Sequence, residues 1–140
     1  MMIDNIMEKG IFATCPVCER SICLVIPSEI QKLKPKPMEV IFRRLVCKKP
    51  LSEYVACLYI DSSSCGVIFK ETATSHYMLI ILNKKWNVEK FYSIDIEVLK
   101  EHFSNLMNMP IKKEEEVDAL LDCVIFTDLA SQVGITVTVT

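Results

Sequence analysis

Only three glycines and two histidines occur in these 140 residues. So few glycines exclude a Gly-rich phosphate loop, and no nucleophile elbow or paired-carboxylate signature is present either. His76 and His102 lack companion motifs, so both read as surface or boundary residues rather than catalytic bases. No apolar run approaches the roughly 18 residues that span a bilayer; residues 77–82 form the longest notable one. The chain opens on Met1-Met2-Ile3-Asp4-Asn5, without a basic region followed by an apolar stretch, so a secretory leader is not expected. Seven cysteines, an odd number, then read as reduced intracellular thiols rather than a disulfide framework, and the cytoplasm is the expected compartment.

What is abundant is apolar side chain. Hydrophobic residues make up 51% of the chain, with a mean hydropathy of +0.29. That is sufficient for one domain with a real core, and residues 1–140 are read as one unit. Its first part, 1–61, holds a knuckle, a short helix and a hairpin; 62–140 holds strands, two helices and a terminal strand.

The most specific local signal is Cys15-Pro16-Val17-Cys18. In a redox site such a pair opens a helix, whose amide ends and dipole acidify the thiol. In a zinc knuckle it sits on a tight turn between strands, both sulfurs about 2.3 Å from one ion. Here Ile22, Leu24 and Ile26 alternate with Ser21, Cys23 and Val25 up to Pro27, a strand pattern. The local context therefore favours the knuckle. Structural zinc is expected on Cys15, Cys18 and Cys47, with Cys57 or Cys65 as fourth ligand. Cys57 is the harder to justify, since four residues up a strand place it roughly 13 Å from the turn. Cys23 and Cys123 read as small core hydrophobes.

Cys-Pro-Val-Cys, then residues 26–30 (Ile-Pro-Ser-Glu-Ile), Val46-Cys47 and Tyr59-Ile60-Asp61, resembles a group of small archaeal proteins with an N-terminal CPxC zinc knuckle. The resemblance covers about residues 15–61. It implies a zinc knuckle leading into a short helix and a β-hairpin, and it implies no activity. Where that pattern often has a histidine two residues after the third cysteine, this chain has Lys49.

Further along, Ser28 and Gln31 have the spacing of a capping box, and a short helix is expected to end before Pro35. Strands are expected at 38–46, 54–60, 66–70, 77–82 and 88–92, with polar turns at 61–64 and 83–87. Short links between them imply an antiparallel meander. The period then changes. Ile96, Leu99, Phe103 and Leu106 recur at helical spacing until Pro110. A second helix is expected from about Lys112 towards Leu129, with Glu114, Glu115 and Glu116 in its first turn and Gly134 as its cap. Residues 123–126 are apolar on every side. Residues 135–140 (Ile-Thr-Val-Thr-Val-Thr) alternate strictly, the pattern of a half-exposed strand. The fold class is thus α+β: an antiparallel sheet, a knuckle-like hairpin, and two C-terminal helices on one face.

Charge argues against nucleic acid as the partner. Residues 1–70 hold ten Lys/Arg and seven Asp/Glu, against six and eleven in 71–140, so the halves carry about +3 and −5. Lys32, Lys34, Lys36, Arg43, Arg44, Lys48 and Lys49 concentrate the positive charge. The total is nevertheless −2 and the pI about 5.7, far from the basic balance of most nucleic-acid binders. The best-supported job is non-enzymatic: a protein–protein interaction module, adaptor or assembly subunit, and a homo-oligomer. The apolar helix expected over 117–133, the high hydrophobicity and the open strand 135–140 motivate it, the last because its polar face carries only threonines and no lysine or proline to blunt an edge. The rivals are a zinc-ribbon nucleic-acid protein using residues 32–49 and a thiol-redox protein using Cys15 and Cys18.

Overall fold

The structure is a computed structural model that describes residues 8–14, 21–45, 54–71, 74–123 and 136–139. Alternating side chains before and after the first cysteine pair form a hairpin. Its strands are β1 (Lys9–Thr14) and β2 (Ser21–Ile26), antiparallel from Lys9 opposite Ile26 to Thr14 opposite Ser21. Ile11, Leu24 and Ile26 point into the core, whereas Phe12 on the other face is exposed.

Pro27 stops β2 and starts helix α1 (Ser28–Gln31). The capping box expected of Ser28 and Gln31 does not form. Pro27 is the N-cap, without a side-chain cap bond, and Gln31 Nε2 donates to the Ile26 carbonyl at 3.1 Å. Proline cannot offer a capping oxygen, so the glutamine binds the strand end instead.

Five strands then run back and forth: β3 (Glu39–Leu45), β4 (Tyr54–Ile60), β5 (Cys65–Glu71), β6 (His76–Leu82) and β7 (Val88–Ile94). Their turns are closed by their own side chains. Asp61 Oδ1 accepts from the backbone N–H groups of Ser63 and Ser64, at 2.8 and 2.7 Å, and from both hydroxyls. Asn83 Oδ1 accepts from the N–H groups of Lys85 and Asn87, while Trp86 takes the positive φ of 65° that the reversal requires.

Helix α2 (Ile96–Met107) ends at Asn108, which adopts a left-handed φ of 50° ahead of Pro110. Ser104 ties that end down: its hydroxyl donates to the Lys100 carbonyl and accepts from Ile111 N–H, both at 2.8 Å. Helix α3 (Glu114–Leu121) opens with Glu116 accepting the N–H groups of Lys112 and Lys113. The three glutamates sit at the positive end of the helix, where the dipole favours them. α3 stops well short of Leu129. Asp122 is its C-cap and Cys123 turns to a φ of 60°, which no right-handed helix tolerates. Residues 124–135, including the apolar 124–126 and Gly134, lie outside the described residues.

Strand β8 (Thr136–Val139) adds to the sheet parallel to β3, from Glu39 opposite Thr136 to Phe42 opposite Val139. The order is β7-β6-β5-β4-β3-β8, so α2, α3 and the residues after them carry the chain from one edge to the other. A parallel neighbour needs such a crossover.

Both faces of the sheet are covered. Val40, Phe42, Cys57, Tyr59, Ile68, Tyr77 and Leu79 face α2 and α3 through Leu99, Phe103, Val117 and Leu120. Ala56, Leu58, Val67, Phe69, Met78 and Ile80 face β1, β2 and α1 through Ile11, Leu24, Ile26 and Ile30. β4, β5 and β6 are therefore apolar on both sides. That accounts for much of the high hydropathy, since each fully buried Leu, Ile or Phe stabilises by about 1.5–3 kcal/mol.

Candidate functional site

Cys15 and Cys18 fall in the link between β1 and β2, and Cys47 follows β3; all three lie outside the described residues. What flanks the first pair is described. Ser21 to Ile26 is extended and paired along its whole length, so a helix opening at Cys18 cannot run past residue 20. The helix N-terminus that acidifies a thioredoxin-type thiol is therefore missing from 21 onward.

Cys57 sits elsewhere. It is buried on the helix side of the sheet, its Sγ 3.6 Å from the Leu120 carbonyl oxygen and 3.7 Å from Cys123 Sγ. β1 and β2 cover the opposite side. Cys65 begins β5 on the hairpin side, half-buried, its thiol pushed up to about 12 by burial and then by the charge of Asp61. No group of three or more His, Cys, Asp or Glu side chains converges like a metal site among the described residues.

Among the described residues the positive charges do not form one patch either. Lys32, Lys34 and Lys36 are exposed beyond α1, whereas Arg43 and Arg44 lie towards the far end of β3. Four to five residues of strand separate Glu39 from that pair, about 13–17 Å. Arg44 is engaged with Asp122, Nη1 to Oδ1 3.3 Å, an exposed pair that contributes little on its own. Lys48 and Lys49 lie outside the described residues.

Both histidines are boundary residues. His76 Nε2 lies 3.5 Å from Ser93 Oγ across the β6–β7 pairing. His102 leans edge-on to Tyr59, ring centroids 5.3 Å apart, and its Nε2 is buried without a hydrogen-bond partner among the described residues. Burial lowers its pKa from the ordinary 6.5. The folded ring thus resists protonation that the unfolded chain accepts, and stability falls as pH drops below about 6.5. Urea unfolding at pH 7 and pH 5 checks this: His102→Gln is expected to lose less stability between the two than the parent.

Two features had no local signal in the sequence. One is a part-buried polar cluster: Asp118 on α3 accepts from Lys70 Nζ and Tyr77 Oη, each at 3.1 Å, and so ties α3 to β5 and β6. Burial and then the Asp118 charge push the Tyr77 hydroxyl pKa up. The other is a cleft of about 610 Å³ among Leu33, Lys34, Ser63, Cys65, Lys84 and Trp86. Its parts come from three separate segments, and of its two carboxylates, Asp61 and Glu89, the first is already occupied by the turn it closes.

The sheet edges differ. β7 carries Glu89 and Lys90, both exposed, and its pairing is interrupted by a register shift at residues 81–82. Charge and irregular pairing are what keep an edge from recruiting another strand. β8 has neither charge nor proline, and among the described residues no strand lies on its outer side. No helix among the described residues is long and apolar enough to cross a membrane. No family model, no curated protein and no solved structure matches this chain.

Proposed function

We propose that this protein is a non-enzymatic interaction module that recruits a further strand at the outer edge of β8, and that the strand is β8 of a second copy. The contrast between the two edges carries the reading: β7 is charged and irregular, whereas β8 is uncharged and regular. Two copies related by a twofold axis would pair their β8 strands antiparallel and use the same surface twice. The opposite charges of the two halves of the chain would help such copies to orient. The hydropathy, another motive for association, has a place inside the fold in a sheet covered on both faces.

Solution mass at micromolar concentration tests the proposal. Twice the 16.0 kDa chain mass is expected, returning to the single-chain mass in a Thr136→Lys/Thr138→Lys variant, because lysine blunts an edge. A parent chain that stays monomeric would remove the self-association.

The metal reading is carried by the paired, extended strands on either side of residues 15–20. Zinc on Cys15, Cys18 and Cys47, with Cys57 or Cys65 as fourth ligand, would stabilise the hairpin that covers one face of the sheet. Elemental analysis of the purified protein is expected to find one zinc per chain. A chelator should then strongly destabilise it, since structural zinc contributes about 10–16 kcal/mol in small zinc folds. The nucleic-acid alternative would require binding to a generic oligonucleotide that weakens steeply with salt.

A further inference from the structure

Cys57 and Cys123 lie with their sulfurs 3.7 Å apart, across 66 residues of sequence. Neither is placed by a loose loop. Cys57 is in the middle of β4, paired on both sides, opposite Arg44 on β3 and Ile68 on β5. Cys123 is the second residue beyond α3, held by its own N–H on the Leu120 carbonyl at 3.0 Å. Its φ of 60° lies in the left-handed region, where a helix end normally uses glycine. A cysteine here brings a thiol to the sheet at the cost of about 1–2 kcal/mol of backbone strain.

The surroundings make the two sulfurs unequal. Cys123 is half-buried, and beside it the Arg44 guanidinium is paired with Asp122. The hydrogen bond shared with Cys57 lowers the Cys123 pKa and the Arg44 charge adds to this; burial and Asp122 oppose it. The Cys57 pKa is raised, first by its bond to Cys123 and then by burial. Cys123 is half-buried and Cys57 buried, so Cys123 is the sulfur that a peroxide reaches first.

We propose that Cys57 and Cys123 are a reversible thiol–disulfide pair, oxidised by hydroperoxides, that fastens the end of α3 to β4. The Cys123 thiolate attacks the peroxide: an S–O bond forms, the O–O bond breaks, and the departing oxygen takes up a proton to leave as an alcohol, or as water from hydrogen peroxide. The Cys57 sulfur then attacks the resulting sulfenic acid. The S–S bond forms, the S–O bond breaks, and the hydroxide leaves as water with the Cys57 proton. The two sulfurs lose two electrons and the peroxide gains two; a dithiol reverses the change. The pair does not involve the β8 edge, so it stands or falls independently of the association proposed above.

The test uses the full chain carrying Cys65→Ser, which leaves Cys57 as the sole cysteine of its tryptic peptide. The reduced protein is treated with hydrogen peroxide, quenched with N-ethylmaleimide and mapped by mass spectrometry. The expected result is a peptide linking Cys57 to Cys123 in most chains, lost after dithiothreitol. In Cys57→Ser, Cys123 should instead accumulate as a sulfenic acid trapped by dimedone. Recovery of both residues as maleimide adducts after peroxide, or linkage of either to another cysteine, would overturn the proposal. The mapping in the Cys65→Ser chain decides even if Cys57→Ser does not fold.

Discussion

Phe103→Ala is expected to destabilise the protein by about 3–5 kcal/mol, the usual range for deleting a buried phenylalanine. Phe103 lies on the inward stripe of α2, fully buried, with Leu99 one turn before it and Met107 one turn after. Its ring meets Phe42 on β3 at 6.4 Å and His102 at 6.0 Å, between ring centroids. Sheet, helix and ring are each held by other contacts, so the vacated space cannot collapse, and the missing packing adds to the lost transfer energy. Phe103→Leu keeps most of the volume and should lose much less. Chemical denaturation of both variants checks the ratio; equal, small losses would mean that α2 is not seated on the sheet as described.

Gly66→Ala is the second large effect, expected to destabilise by about 1–3 kcal/mol or more, as overpacking does. A methyl group there would sit 2.7 Å from Tyr59 Cε1 and Oη and 2.8 Å from the Ile80 carbonyl oxygen. The carbonyl is backbone of β6 and cannot turn away. Tyr59 is buried with its ring against His102, so it cannot swing out either. Replacing glycine by alanine at an unstrained site would gain about 0.4–1 kcal/mol by restricting the unfolded chain, and the collision outweighs that. Adding Tyr59→Leu should recover part of the loss, a non-additivity that a double-mutant cycle reads directly.

Much of the sheet was legible in the residues. Tyr54, Ala56 and Leu58 alternate with Val55, Cys57 and Tyr59, and the structure sends the two sets to opposite cores. The Asp61 and Asn83 turns were legible because their short side chains bond to local backbone, which is chemistry within a few residues. Local chemistry also misled. Ser28 and Gln31 had capping spacing, but Pro27 took the N-cap. The apolar period continued past Leu121, while the chain turned at Cys123; periodicity registers burial, and a buried non-helical residue satisfies it equally. The parallel pairing of β8 with β3 had no local sign, because it depends on where α2 and α3 deliver the chain. The thiol pair was missed for the same reason: 66 residues separate its members, and each alone read as core filler or zinc ligand.

Amide hydrogen exchange of residues 136–139 at low and high protein concentration tests the interaction reading most directly. In β8 alternate N–H groups turn away from β3, and these have no strand beside them among the described residues. A second β8 docked on that edge would slow their exchange as concentration rises, leaving the β7 edge unchanged. If those outward amides exchange equally fast at both concentrations, β8 is not where copies of this protein meet.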